Sequence, residues 1–253
     1  MKMSVQVSSR HSLPLALLAG GLATRLRPVT EKIPKSMMEI AGEPFIAHQL
    51  RLLAKQQVRD IVICAGYLGE QIAEYVGDGG QFGCHVTYSF DGDKLLGTGG
   101  AIRKAIPLLG DTFFVMYGDS YLPTDFAQVY DVFANSGMSG LMTVFKNDNQ
   151  WDTSNVLFAK GSIAQYDKRA PNDSMQYIDY GLGILTAKAF SDRHECERFD
   201  LAEVYESLVA SKQLAGFEVH ERFFEIGSWN GLDETNSLFL KLRQELDFKS
   251  TSA

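Results

Sequence analysis

The sequence of 253 residues is poor in cysteine and contains no long apolar run. Its three cysteines, Cys64, Cys84 and Cys196, are odd in number and lack CxxC spacing, which favours reduced thiols over a disulfide framework. No apolar run approaches the ~18 residues of a membrane span. The first dozen residues also lack the apolar stretch of a secretory signal. We therefore expect a cytoplasmic protein with no membrane partner.

Positive charge is also scarce in this sequence. There are 24 lysines and arginines against 31 aspartates and glutamates, which gives a net charge of −7. This argues against a nucleic-acid partner, because such partners need a basic face that displaces counterions. The content of 45% apolar and 22% charged residues is typical of a globular protein that handles small molecules. We expect a monomer or a small homo-oligomer.

Four short apolar runs, at residues 15–18, 61–64, 113–116 and 141–145, have the composition of parallel strands covered on both faces. Helical periodicity lies between them, at 46/50/53 and 72/76, and again in a last helix around 238–246. This alternation predicts an α/β protein with a doubly wound, mostly parallel, Rossmann-like mixed sheet.

Three further segments, 155–159, 163–166 and 177–185, predict short strands of an antiparallel extension laid over the α/β core. The chain has no Pro- or Ser-rich linker and no repeat. We therefore expect one domain over residues 13–246, with a flexible N-terminal tail at 1–12 and a C-terminal tail at 247–253.

Glycines follow three of the predicted strands: Gly20 and Gly21, then Gly66, then Gly118, with Asp119 directly after the last. In an open parallel sheet, ligands bind outside the carboxyl ends of the strands, where glycine exposes backbone N–H groups. Three such ends, one followed by a carboxylate, predict a nucleotide-sized site. The simpler alternative is that each glycine only permits a tight turn.

The loop after the first strand concentrates positive charge in an acidic protein. Gly20 and Gly21 can present amides to phosphate oxygens, and Arg25 and Arg27 follow them, with Lys35 ten residues after Arg25. The loop matches neither the Walker A pattern nor G-x-G-x-x-G. Its pattern favours a polyphosphate clamp over a solvated charged loop.

The segment LAGGLATRLRP…KIPKSM resembles the signature of the sugar-1-phosphate nucleotidylyltransferases, the NDP-sugar pyrophosphorylases. The similarity continues in the family's order through residues 42–46, 97–101, 117–119, 167–168 and 224–228. Two departures are Ala23, where the family usually has glycine, and Ser36, where it usually has proline. Among short members, the heptose-1-phosphate guanylyltransferases and the N-acetylmuramate-1-phosphate uridylyltransferases are both similar, and the motifs do not choose between them.

The resemblance implies the nucleotide-diphospho-sugar transferase fold and an enzyme that uses Mg²⁺. Its partners are an NTP and a sugar 1-phosphate, which it converts to an NDP-sugar and pyrophosphate. Our first candidate is GTP with a heptose or hexose 1-phosphate. The alternatives are the same chemistry with UTP or CTP, transfer onto a phosphorylated amino alcohol such as phosphocholine, and a catalytically silent sensing protein.

The resemblance also implies roles for individual residues. The implied catalytic residues are Arg25, Lys35 and Asp119. The implied nucleotide-binding residues are Leu18, Ala19, Gly20, Gly21, Thr24, Gly97, Gly99 and Gly118. Lys168, Asp179 and Gly181 are implied to bind the sugar phosphate. Asp119 and Glu225 are implied to share one Mg²⁺, and we expect them to meet because each lies at the end of a strand-like run on one edge of a parallel sheet.

Other polar residues have simpler interpretations. Asp125 is expected to be the N-cap of a helix. His48 and His85 have no second ligand at metal spacing, so we expect them to be packed or exposed. Cys64 lies inside an apolar run and is expected to be inert.

Overall fold

The computed structural model describes residues 13–147, 150–151, 153–194 and 197–251, so the predicted tail at 1–12 and Cys196 lie outside the described residues. The strands are β1 (Leu15–Leu18), β2 (Glu39–Ile40), β3 (Glu43–Pro44), β4 (Asp60–Ala65), β5 (His85–Phe90), β6 (Thr112–Tyr117), β7 (Ser120–Tyr121), β8 (Gly140–Lys146), β9 (Val156–Ala159), β10 (Ser162–Tyr166), β11 (Tyr177–Thr186), β12 (Leu214–Val219) and β13 (Phe224–Glu225). The helices are α1 (Phe45–Lys55), α2 (Gly69–Val76), α3 (Gly97–Leu109), α4 (Phe126–Ser136), α5 (Leu201–Ala210) and α6 (Trp229–Thr251). Among the described residues, none of these helices is both long and apolar enough to cross a membrane.

One nine-stranded mixed sheet forms the centre of the molecule, in the order β5-β4-β1-β6-β11-β8-β12-β10-β9. The first four strands are parallel to one another. Strand β12 is parallel to β8, whereas β10 and β9 are added in antiparallel fashion at the edge. The predicted α/β class and mostly parallel, mixed sheet are confirmed.

Strand β11 differs from its prediction as part of an extension over the core. It lies in the middle of the sheet, antiparallel to both β6 and β8. Its residues Leu182, Ile184 and Leu185 are at most 1% exposed. A ten-residue strand this apolar on both faces is stable only where helices cover both sides, which explains its central position.

The two faces of the sheet bury separate cores. In β1, Leu15 and Leu17 point to the layer of α1, α2 and α4, whereas Ala16 points to the layer of α3 and α5. This alternation follows from the two-residue period of a strand. All of these side chains are fully buried, so the sheet is doubly wound as predicted.

Helix boundaries follow local signals in some places. The predicted N-cap of α4 is confirmed: the Asp125 carboxylate accepts hydrogen bonds from the N–H groups of Ala127 (2.9 Å) and Gln128 (3.4 Å). The last helix, α6, continues to Thr251, so the domain boundary expected at 246 falls inside it. His48 is packed against the Phe239 ring, with 4.0 Å between ring centroids.

Candidate active site

A cavity of about 290 Å³ opens at the carboxyl ends of β1, β4 and β6. It is lined by Leu18, Ala19, Gly20, Gly21, Leu22, Lys35, Ser36, Cys64, Asp91, Leu95, Gly97, Thr98, Ala101, Tyr117, Gly118, Asp119 and Arg198. Six of the eight predicted nucleotide-binding residues are in this lining, together with Lys35 and Asp119. The edge of the sheet predicted from its glycines is therefore the edge that carries the cavity.

The floor of the cavity is close-packed backbone that excludes side chains. A Cβ on Gly20 would lie 2.9 Å from the Gly66 nitrogen, and a Cβ on Gly118 would lie 2.6 Å from the Leu18 oxygen. Gly21 differs, because a Cβ there would meet no described atom within 4 Å. Two glycines thus hold the strand ends together, and the third leaves its backbone open towards the cavity.

The loop after β1 that contains Arg25 and Arg27, here called the arginine loop, turns sharply after these glycines. Ala23 adopts φ 47° and ψ 45°, the left-handed conformation that favours glycine, and a short 3₁₀ turn over Thr24–Leu26 follows. Leu26 is fully buried, and the Thr30 hydroxyl donates to the Ala23 carbonyl at 2.9 Å. These two contacts anchor the turn that carries the exposed side chain of Arg25.

Lys35 and Asp119 form an ion pair in the lining of the cavity. The Lys35 ammonium donates to Asp119 Oδ2 at 2.6 Å, and the two side chains are 20% and 28% exposed. Burial opposes the charged form of Asp119, but the Lys35 ammonium and the Ser120 hydroxyl outweigh it and hold the pKa of this carboxyl below its ordinary value. The pair places one fixed cation and one fixed anion in the cavity lining.

Glu225 lies beside Asp119, as predicted, but the predicted reason was wrong. Its strand, β13, is not part of the parallel sheet; it pairs antiparallel with β7 in a separate two-stranded sheet, with Glu225 opposite Ser120. The Ile226 N–H also donates to the Asp119 carbonyl at 2.9 Å. The two acidic residues are thus joined through backbone pairing of the segments that contain them.

A single small space is bordered by the two carboxylates and the predicted catalytic arginine. A Cβ on Gly227 would lie 2.7 Å from Glu225 Oε2, and 3.4 Å from both Asp119 Oδ2 and Arg25 Nη2. Glycine at this position therefore leaves the space open. Arg25 is thereby brought to the Asp119 side of the site although it does not line the cavity itself.

The Glu225 carboxylate is held by its own turn. Its Oε2 accepts a hydrogen bond from the Gly227 N–H, and its Oε1 accepts one from the Ser228 hydroxyl at 2.6 Å. Among the described residues, no group of three or more His, Cys, Asp or Glu side chains is arranged to hold a metal. Two carboxylates remain a fitting set for Mg²⁺, which takes one or two carboxylates together with phosphate oxygens and waters.

The predicted sugar-phosphate residues lie on the other side of β6. A register shift between Asp179 and Gly183 makes β11 bulge there, and Gly181 at φ 96° lies against Tyr117, where a Cβ would be 3.3 Å from the ring. Lys168 lies over the same Tyr117 ring, with 5.9 Å from Nζ to the centroid. Tyr117 itself lines the cavity, so this group is continuous with it.

Asp179 is a half-buried carboxylate with a local hydrogen-bond partner. Its Oδ1 accepts a hydrogen bond from the Gly181 N–H at 3.0 Å. Burial raises the pKa of Asp179 to about 6, although the Gly181 N–H and the Lys168 charge both favour its ionised form. When ionised, its carboxylate only accepts hydrogen bonds.

Two predicted nucleotide-binding residues are absent from the cavity lining. Gly99 is buried in the first turn of α3, where its N–H donates to the Phe199 carbonyl at 3.1 Å and a Cβ would collide with the Phe199 ring. Its role in the structure is helix packing. Thr24 begins the 3₁₀ turn of the arginine loop and is exposed outside the lining.

Sequence reasoning missed several lining residues, chiefly Asp91, Leu95 and Arg198. Cys64 is a lining residue too, and burial with the neighbouring Asp91 charge raises the pKa of its thiol to about 12, in keeping with the expected inertness. Asp91 follows β5, a strand that was not predicted. A prediction of β5 would have added a fourth strand end to the three that carry glycines, and this fourth end is followed by the carboxylate of Asp91.

Known proteins are similar to this chain in sequence. The N-acetylmuramate alpha-1-phosphate uridylyltransferase of Neisseria meningitidis serogroup B is 37% identical over 115 residues, 45% of this chain and 50% of that protein. The D-glycero-alpha-D-manno-heptose 1-phosphate guanylyltransferase of Campylobacter jejuni is 27% identical over 215 residues, 83% of this chain and 93% of that protein.

A solved structure and a family model complete the comparison. A putative glucose-1-phosphate thymidylyltransferase from Bacillus anthracis superposes with a TM-score of 0.78 at 21% identity, over 89% of this chain and 94% of that one, which confirms the predicted fold. Residues 16–161 match the family model described as nucleotidyl transferase. That match covers more than half of the chain and includes the glycine floor, the arginine loop and the Lys35–Asp119 pair, and so the chain belongs to the nucleotidyl transferase family.

Proposed function

We propose that this protein is a sugar-1-phosphate nucleotidylyltransferase, which makes an NDP-sugar and pyrophosphate from an NTP and a sugar 1-phosphate. The observation that carries the proposal is the Lys35–Asp119 ion pair of 2.6 Å. It lies between a glycine-floored cavity on one side and the Gly181 bulge of β11 on the other. A donor nucleotide and an acceptor sugar phosphate would meet at this pair.

The reaction needs positioning more than proton transfer. A phosphate oxygen of the sugar 1-phosphate attacks the α-phosphorus of the NTP, and the bond from that phosphorus to the bridging oxygen breaks as pyrophosphate leaves. The nucleophile is already an anion, so no general base is required. The barrier comes from bringing two anions together and from charge that builds on the leaving group, which fixed cations and backbone donors stabilise.

The donor side is assigned to the loop after β1. The open backbone of Gly21 and the Lys35 ammonium would bind the phosphates, and Arg25 would stabilise the β- and γ-phosphates as they become pyrophosphate. The exposed position of Arg25, beside the space in front of Asp119, supports this role because a leaving group must depart towards solvent. A guanidinium also matches phosphate oxygens in bidentate fashion.

Asp119 and Glu225 are the residues that would hold a divalent metal, which we propose to be Mg²⁺. When bound, the ion would neutralise phosphate charge and orient the oxygens of the triphosphate. Asp119 is the stronger candidate for direct binding, because it lines the cavity and Glu225 does not. Lys35 holds Asp119 in position for this task.

The acceptor side is assigned to β11 and the residues before it. Lys168 would bind the phosphate of the sugar 1-phosphate, Asp179 would accept a hydrogen bond from a sugar hydroxyl, and Gly181 would let the sugar lie against backbone. Their continuity with Tyr117, which lines the cavity, supports the assignment.

The substrates are proposed from the relatives. Because the Campylobacter guanylyltransferase aligns over 83% of this chain, we favour GTP and a heptose or hexose 1-phosphate. UTP with another sugar 1-phosphate is the second candidate, favoured by the higher identity to the Neisseria uridylyltransferase over a shorter span. We further propose a cytoplasmic monomer or small homo-oligomer, which the free, buried thiols of Cys64 and Cys84 support.

A pyrophosphate-release assay tests the proposal. The four ribonucleoside triphosphates and dTTP are each offered with a panel of sugar 1-phosphates and with phosphocholine, with and without Mg²⁺. We expect release only when an NTP, a sugar 1-phosphate and Mg²⁺ are all present. Nucleotide binding without pyrophosphate release from any NTP and acceptor pair would instead indicate a sensing protein. Pyrophosphate release only in those pairs where phosphocholine is the acceptor would indicate transfer onto a phosphorylated amino alcohol.

Arg25→Ala gives the matched test of mechanism. We expect turnover to fall by roughly 10²- to 10³-fold, the range for one preorganised charge contact to a transition state. Affinity for the sugar phosphate should change much less. The control is Arg27→Ala, since Arg27 is exposed and lies 3.9 Å from Glu31 on the same loop. A loss of affinity without loss of turnover would contradict the assigned role.

A further inference from the structure

Ser36 lines the cavity next to Lys35 and carries a hydroxyl that the proposed chemistry does not use. The residue is only 3% exposed. Among the described residues, none forms a hydrogen bond with its buried Oγ. Most buried polar side-chain atoms in proteins are hydrogen-bonded, because an unpaired one loses its hydration without compensation. A buried, unpaired hydroxyl in the lining of a binding cavity therefore points to a partner that the ligand supplies.

The backbone that carries Ser36 is held by its neighbours. Ser36 is the middle residue of a 3₁₀ turn over Lys35–Met37, and the Met38 N–H closes this turn by donating to the Lys35 carbonyl at 3.0 Å. The Met38 carbonyl in turn accepts the N–H of Phe45, the first residue of α1, at 2.9 Å. The position of the residue is thus fixed. Its hydroxyl can still move between three staggered positions by rotation about a single bond.

The charges in the lining indicate which ligand atom this hydroxyl would meet. The Lys35 ammonium is a fixed cation on the adjacent residue, and it attracts anionic oxygens to this part of the cavity. The carboxylate of Asp119 is bonded to Lys35 and to Ser120 rather than to Ser36. A hydroxyl donates one hydrogen, and its bond to an ionised acceptor is stronger than its bond to a neutral one. A phosphate oxygen beside Lys35 is therefore the acceptor that suits Ser36.

We propose that Ser36 is a further phosphate-binding residue, whose hydroxyl donates a hydrogen bond to a phosphate oxygen of the nucleotide beside the Lys35 ammonium. The nucleotide pairs a hydroxyl that is unpaired in the free protein, so the contact adds to affinity without breaking an existing bond. Ser36 is also one of the two departures from the signature, and the proline usual there has no hydroxyl. This inference rests on the proposed function, because it needs a nucleoside triphosphate in the cavity.

The first test measures nucleotide binding, so it does not depend on turnover. Dissociation constants for GTP, UTP and guanosine are determined by calorimetry on the full chain and on Ser36→Ala, with Mg²⁺ and without a sugar phosphate. Ser36→Ala should bind each triphosphate roughly 10- to 150-fold more weakly than the wild type, the range for a hydrogen bond to a charged group. The factor should be the same for GTP and UTP, because the contact is with phosphate. Guanosine should bind both proteins equally.

The second test separates a ligand-binding hydroxyl from a structural one. Without nucleotide, Ser36→Ala should melt at or above the wild-type temperature, because it removes a buried polar group that has no partner. Thr143→Val is the matched control. Its buried hydroxyl in β8 already donates to the Leu182 carbonyl at 2.5 Å, and it lies outside the cavity lining. This control should lower the melting temperature and leave the affinity for GTP and UTP unchanged.

Four results would overturn the inference. They are no binding of either triphosphate by the wild type, unchanged triphosphate affinity in Ser36→Ala, a loss confined to one of the two bases, and a lower melting temperature of free Ser36→Ala. The last would show that the hydroxyl is already paired in the free protein. Pyrophosphate release tests the proposed function separately. Release by the wild type with unchanged affinity in Ser36→Ala contradicts this inference alone, whereas Ser36-dependent binding without release supports it and contradicts that function.

Discussion

Removing the ammonium of Lys35 should destabilise the protein through the carboxylate it leaves behind. Lys35→Met keeps most of the aliphatic stem but deletes the 2.6 Å contact to Asp119 Oδ2. The Ser120 hydroxyl, 3.2 Å from Oδ1, then remains as a side-chain partner of that carboxylate. An ionised group only 28% exposed would be left with one neutral hydrogen bond.

The magnitude follows from the burial of the pair. Breaking a fully buried ion pair by removing one partner costs about 3–5 kcal/mol. Partial exposure of both side chains lets water solvate the remaining charge, so we expect a loss of about 1–3 kcal/mol in the free energy of unfolding at pH 7. Adding Asp119→Asn removes that charge, so the double variant should recover about 1–2 kcal/mol relative to the sum of the single effects.

Urea denaturation of the four proteins in EDTA measures this coupling. If the two substitutions are additive within about 0.3 kcal/mol, the reasoning fails, because contacting charges in one pair must be coupled. Addition of Mg²⁺ provides a second readout. If Asp119 binds the metal, Mg²⁺ should narrow the stability gap of Lys35→Met and leave the variants with Asp119→Asn unchanged.

Four further substitutions test individual features. The pKa of Asp179 is raised to about 6 from its ordinary 3.8, so the native state binds this proton more tightly than the unfolded state does. The free energy of unfolding of the wild type should therefore fall as pH rises from about 4 to 6. Asp179→Asn should lack this pH-dependent decrease when urea midpoints are measured. Gly118→Ala should lower the free energy of unfolding by about 1–3 kcal/mol, because the new Cβ would lie 2.6 Å from a backbone oxygen. Gly21→Ala has open space around its Cβ and should unfold at nearly the wild-type urea concentration. Ala23→Gly should relieve a left-handed conformation and raise stability by about 0.5 kcal/mol, and a loss beyond about 1 kcal/mol would contradict the observed φ of 47°.

Elements with a strong local pattern could be predicted from the sequence. Strands β1, β4, β6 and β8 are short apolar runs, and helix α1 repeats its apolar residues at the helical period. The cap at Asp125 depends only on its own side chain and the two N–H groups that follow. Contacts within a few residues decide each of these elements, so no knowledge of the rest of the chain was needed.

Helix α3 shows why other elements could not be predicted. It begins Gly97-Thr98-Gly99-Gly100 and contains Pro107, a composition typical of a loop. The helix forms there because its glycines allow close approach of a segment about 100 residues away: the Phe199 carbonyl accepts the N–H groups of Gly99 and Gly100. Tertiary contact outweighs local propensity, and no local pattern reports it.

The candidate site was predictable only as far as strand ends were. Lys35 and Asp119 could be predicted as site residues because each follows an element or motif that is recognisable in the sequence. Asp91 follows β5 and Arg198 precedes α5. Neither element was predicted from the sequence, so both residues were missed. Glu225 was placed correctly although its pairing with β7 depends on a two-residue antiparallel ladder too short to leave a pattern.

The central position of β11 ties the two halves of the chain into one folding unit. A fragment that ends after β8 would contain the glycine floor, the arginine loop and Asp119, yet β6 and β8 would have no strand between them. Their facing edges would expose unpaired N–H and C=O groups, which invite pairing with another chain. Such a fragment should aggregate, and during synthesis β6 must wait for residues 177–186 before its second edge is paired. The chain therefore completes the sheet around β6 only after β9, β10 and β11 have been made.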